Sequence, residues 1–153
     1  MTPEIRDIDS KITVRRAAAN TAVTAGGAGD ATQVTGVIID RYALGLPSNG
    51  VVAIPFTATL AAAETLSLTW TLQHGDDSGL SDAATHATGA NAVVATGPGG
   101  GGTVTGTVEA RISLRGAKRY VRLQFTPDLS RANTDTAALS AVLVFAGADR
   151  LPQ

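Results

Sequence analysis

The 153-residue chain is long enough for one domain with a sizeable core, and it has no cysteine, which excludes disulfides, thiol catalysis and thiolate metal sites. Twelve Lys and Arg against thirteen Asp and Glu leave a net charge of -1, so there is no global field to draw in nucleic acid or an anionic membrane. Only 16% of residues are charged, while Ala, Thr, Gly and Val dominate, a balance that suits a protein packed against others.

The amino-terminal stretch MTPEIRDIDSKITVRR carries charges where a secretory signal needs an apolar run, and the low-charge stretch 51–73 is interrupted by Pro55 and Glu64, which rules it out as a membrane span. The expectation is a soluble protein made in the cytoplasm. Residues 1–29 read as an extended arm with one short strand. Ile5, Ile8, Ile12 and Val14 stand there among Lys11, Arg15 and Arg16. The remainder, 30–153, is expected as one β-sandwich domain.

Runs 34–44 and 51–60 flank the turn-forming GLPSNG and predict a strand pair. Pro55 cannot donate a ladder hydrogen bond, which predicts a sheet edge or a bulge for its strand. Residues 65–73 (TLSLTWTLQ) alternate without a fault and predict a half-buried strand with Leu66, Leu68, Trp70 and Leu72 inward. Trp70, the only tryptophan, is expected as a core anchor.

The stretch 74–91 is rich in Asp, Ser, Thr and Gly and predicts an exposed loop with one helical turn over 80–84. It holds both histidines, His74 and His86, with Asp76, Asp77 and Asp82, the strongest case for metal or acid–base chemistry in the chain. Their spacing fits neither a zinc-protease nor a calcium-loop motif, and the favoured reading is aspartates capping turns, with a weak calcium site as the alternative. GPGGGG at 97–102 lacks the ending of a phosphate-binding loop and predicts a flexible tip. No G-x-S-x-G elbow is present, so the expectation is a protein that is not an enzyme and uses no cofactor.

Alternation returns over 103–114 and 121–125, separated by a turn around Gly116, and predicts an antiparallel hairpin. The turn presents Arg115, Lys118 and Arg119, with Arg111 and Arg122 on the outer face, a candidate patch for an acidic partner or an ordinary solvated surface. Residues 136–147 are apolar at nearly every position from Ala141 and predict a central strand covered on both faces. Seven or eight strands with no long helix and no βαβ rhythm predict an all-β fold, an antiparallel β-sandwich or jelly roll.

The alternating strand of the carboxy-terminal half, LRGAKRYVRLQFTP (114–127) and ALSAVLVFAGADRLP (138–152) resemble the small virion proteins of tailed bacteriophages known as capsid decoration or cement proteins. The resemblance implies a protein that binds the major capsid protein on the outside of an assembled shell, often as a homotrimer at local three-fold positions, and stiffens it. It also implies that the arm, through Ile5, Ile8, Lys11, Ile12, Val14, Arg15 and Arg16, touches the capsid or the next subunit. Another virion part, such as a tail or head-fibre protein, is the near alternative. A carbohydrate-binding sandwich is the more distant one, with Tyr42 and Tyr120 as its stacking candidates.

Overall fold

The computed structural model describes residues 11–130 and 134–148. Eight strands follow in order: β1 (Ile12–Thr24), β2 (Val34–Asp40), β3 (Pro47–Leu60), β4 (Thr65–Gly75), β5 (Ala84–Thr96), β6 (Gly102–Ser113), β7 (Tyr120–Leu129) and β8 (Thr136–Ala148). A single 3-10 turn, Tyr42–Leu44, is the one helical element among the described residues, and no helix is long and apolar enough to cross a membrane.

The strands form two antiparallel four-stranded sheets with orders β1-β8-β3-β6 and β2-β7-β4-β5. The alternation of Leu, Ile, Phe and Trp with Thr and Ser turns one face of each sheet inward. Phe125, Phe145, Ile54, Leu66, Leu72 and Leu143 are among the fully buried side chains, each contributing about 1.5–3 kcal/mol by leaving water. Trp70 is 7% exposed and packs in this core, as its alternation predicts.

Only β4 and β5 form a hairpin between consecutive strands; every other connection crosses from one sheet to the other, which is the jelly-roll path. Two expected hairpins are corrected by this. β6 pairs with β3, and β7 pairs with β4 and β2, so the turn around Gly116 is an arch between sheets. β2 pairs with β7 while β3 pairs with β8 and β6, so 34–44 and 51–60 are not partners either. In both cases a short turn between alternating runs serves an arch as well as a hairpin.

Pro55 is also corrected, because β3 is an interior strand. The ladder to β6 runs unbroken through Pro55↔Thr107, whereas the ladder to β8 skips Ile54 and Pro55. The missing N–H therefore costs one local interruption on the β8 side.

β8 is interior as expected, but only its odd-numbered residues are buried; Ala138, Ser140, Val142, Val144 and Ala146 are half-exposed on the outer face. The expected loop 74–91 is shorter than its composition predicts. β4 extends through His74 to Gly75 and β5 starts at Ala84, with no helical turn over 80–84.

Residues 12–24, expected within the arm, form a 13-residue strand hydrogen-bonded to β8 along its length. Ile5 and Ile8 lie outside the described residues. β1 has two register shifts and β2 one, where the two edge strands meet and close one side of the sandwich. At that seam Gly36 of β2 lies against the backbone carbonyls of Ala17 and Leu123, leaving no room for a side chain.

Candidate functional site

Three connections gather at one end of the sandwich: 41–46 between β2 and β3, 76–83 between β4 and β5, and 114–119 between β6 and β7. Arg41, 5% exposed, ties the first of these and the start of β3 to the third. Its guanidinium donates to the carbonyls of Pro47 (2.9 Å), Leu114 (3.1 Å), Lys118 (2.9 Å) and Ala117. Burial draws its pKa below the usual arginine value, and four carbonyl dipoles hold the charge. A cleft of about 420 Å³ opens beside it, lined by Tyr42, Asp76, Arg115, Lys118 and Arg119 among others.

The basic turn carries its own counterions. Lys118 Nζ lies 3.1 Å from Asp82 and 3.4 Å from Asp76. Arg119 donates to both oxygens of Asp40, at 2.8 and 3.1 Å, and its guanidinium lies 4.9 Å from the rings of both Tyr42 and Tyr120. The hydrogen bond from Arg119 is the leading reason the Asp40 carboxyl sits below its ordinary range. Both tyrosines considered for sugar stacking are thus engaged with an arginine. Arg122 donates to Gln73 Oε1 at 2.8 and 3.1 Å.

The aspartates of the 76–83 turn cap backbone, which is the favoured sequence reading. Asp82 accepts the N–H groups of Asp76 (2.8 Å) and Asp77 (3.1 Å), and Asp77 accepts those of Gly79 (2.8 Å) and Ser81 (3.3 Å). His74 Nδ1 accepts the Lys118 N–H at 3.2 Å, and His86 Nε2 meets the Ser113 carbonyl at 2.7 Å, which assigns that nitrogen as the donor. The two rings are 4.9 Å apart. Among the described residues no three His, Asp or Glu are grouped to hold a metal ion.

This geometry sets a pH response. The two backbone N–H groups, with Lys118 behind them, hold the Asp82 carboxyl down to about 2 from 3.8. Its contribution is complete above 3.8 and is lost as the pH falls through about 2. The expected result is that the Asp76 and Asp77 amide resonances titrate with a midpoint near 2 as the turn releases Lys118; a midpoint at the ordinary 3.8 refutes the cap. His74 is also held low, first by burial and then by His86 and Lys118. The unfolded chain therefore takes up that proton first, and stability declines as the pH drops below 6.5.

The register places the other predicted contact residues. Ile12, Ala146, Asn49 and Ser113 form one row across the first sheet, so Lys11 and Ile12 share an end of the molecule with Arg115, Lys118 and Arg119, on opposite edges. Val14, Arg15 and Arg16 follow along β1. Val14 and Arg16 lie on the outer face, level with Val144 and Val142, while Arg15 lies level with the inward Leu143. Val14 is 52% exposed. It continues an apolar band through Val144, Val142, Val51, Ala53 and Pro55 on that face. Sequence reading missed this band and the role of Arg41. The band was visible as consecutive apolar residues in β8, and nothing in the periodicity marks Arg41.

The sequence matches no protein-family model and no curated protein. Its fold has counterparts among solved structures. A structure of the T13 particle of infectious bursal disease virus is similar over 93% of this chain and 33% of its own, with a TM-score of 0.52 and 14% identity. A structure of the Gt strain of the same virus is similar over 93% and 34%, with a TM-score of 0.50 and 15% identity. The PBSX exported protein XepA is similar over 88% and 37%, at 19% identity and a TM-score of 0.43, too loose a likeness to carry an argument. The chain spans about a third of the length of these structures, and at such identities the likeness shows the fold alone.

Proposed function

We propose that the chain is a non-enzymatic structural component of a virion, and specifically a decoration protein that binds the major capsid protein from outside the shell. The observation that carries this reading is the jelly roll itself, which is similar over 93% of the chain to proteins of an icosahedral virus particle. Low charge and an exposed apolar face support it, as expected of a protein that works within an assembly.

The proposed capsid contact is the end of the sandwich that carries Lys11 and Ile12 at one edge and the turn bearing Arg115, Lys118 and Arg119 at the other. His74, His86 and the aspartates beside that turn hold its backbone and side chains, a structural use that fits a docking end better than a catalytic one.

Electron cryo-microscopy of the assembled particle tests the proposal. The expected result is density for this fold on the shell exterior, in hundreds of copies and in three-fold clusters. A handful of copies at a vertex favours the tail or fibre alternative, and absence from purified particles overturns the reading. In a co-sedimentation assay with shells lacking the protein, Arg115→Glu is expected to weaken binding about tenfold by placing like charge at the contact.

A further inference from the structure

The outer face of the first sheet has a pattern that its strand register makes explicit. One row across the four strands reads Val14, Val144, Val51, Arg111; the next reads Arg16, Val142, Ala53, Glu109. Apolar side chains thus occupy the two interior strands, with Val14 extending them onto β1. Charges of opposite sign stand at the two edges of one row, Arg16 on β1 and Glu109 on β6. Among the described residues none of Arg16, Glu109 and Arg111 has an ion-pair partner. Below these rows the face is covered by Thr57, Thr59, Thr103, Thr105 and Thr107, whose methyl groups suit close packing.

We propose that this face packs against the same face of a second copy about a two-fold axis parallel to the strands. Such a rotation turns the sheet over and exchanges its edges while keeping each row level with itself. β1 of one copy then lies over β6 of the other. Arg16 meets the partner's Glu109, and Glu109 meets the partner's Arg16, so one contact creates two ion pairs. Between them Val144 lies over the partner's Val51, Val142 lies over the partner's Ala53, and Val14 covers the aliphatic stem of the partner's Arg111. A different sheet-on-sheet arrangement, such as β1 over β1, sets Arg16 against Arg16 and gains nothing from the charge pattern.

Two sheets stacked in this way are about 10 Å apart, close enough for valines to interdigitate and for arginine to span the flank. The face is roughly 35 Å long and 15 Å across, the same order as the ~800 Å² that each partner gives to a specific interface. The contact is isologous and therefore closed at two copies. It is separate from the capsid-binding end and does not depend on the capsid reading; in a shell it would join copies from neighbouring three-fold clusters.

Sedimentation equilibrium on the purified full chain, with the Arg16→Glu, Glu109→Arg and doubly substituted proteins, tests the proposal. All substituted side chains are exposed, and a thermal melt confirms that each variant folds. The wild type is expected to show a two-chain association. Each single reversal sets like charges together twice per dimer and is expected to raise the dissociation constant at least about tenfold. The double variant exchanges the signs and is expected to regain wild-type association. A wild type that shows no two-chain association, an association indifferent to the single reversals, or a double variant that fails to recover overturns the proposal.

Discussion

Replacing Arg41 with methionine is expected to lower the unfolding free energy by about 4 kcal/mol and the melting temperature by about 10 °C. The side chain is 5% exposed, and its guanidinium reaches carbonyls on two segments: Pro47 at the start of β3, and Leu114, Ala117 and Lys118 in the connection between β6 and β7. Methionine matches much of the volume and donates nothing, so buried carbonyls lose their partners while the packing is nearly conserved. Lysine restores the charge without the planar fork and is expected to recover less than half of the loss. Urea denaturation of the three proteins decides it; a methionine variant within about 1 kcal/mol of wild type shows that those carbonyls find water instead.

Gly36→Val is expected to destabilise the fold by about 3 kcal/mol or more, and Gly36→Ala by somewhat less. A Cβ at this position collides with the carbonyl oxygens of Ala17 and Leu123, both of them backbone atoms that cannot rotate away. Relief requires β2 to move away from both β1 and β7, opening the side of the sandwich where β1 and β2 carry register shifts. Hydrogen exchange gives the local signature: amides of β1 and β2 are expected to lose protection before those of β3 and β4. Uniform loss of protection across both sheets refutes the seam as the point of failure.

Both residues show what the sequence withheld. β4 was legible because Leu66, Leu68, Trp70 and Leu72 alternate with Thr and Ser, and the β6, β7 and β8 segments were legible for similar reasons. β5 was not. Its Ala, Gly and Asn residues have little β preference, and three irregularities in its pairing with β4 break the period. Its Gly89 lies under the Trp70 ring, so a position facing the core carries no apolar side chain to betray the strand.

Pairing was harder to read than strand identity. Alternation tells which face of a strand is buried and is silent on which neighbour it meets, so short turns between β2 and β3 and between β6 and β7 looked like hairpins. The candidate contact residues were partly legible for the same reason. Lys11, Arg15, Arg16, Arg115, Lys118 and Arg119 were visible as charge, but only the register brings Ile12 level with Ser113 and Arg16 level with Glu109. Nothing in the sequence marks Arg41, because an arginine whose partners are backbone carbonyls distant along the chain leaves no local pattern.

The path of the chain also governs when the molecule can form. Among the described residues β1 pairs only with β8 within its sheet, so the strand Ile12–Thr24 has no ladder until β8 is present. With a single sequential hairpin, nearly every pairing spans a large loop, which places folding in the millisecond-to-second range typical of non-local β topologies. On a ribosome β1 waits for Thr136–Ala148, the last of the described strands, to emerge; until then its hydrogen-bonding edge stays open to other chains.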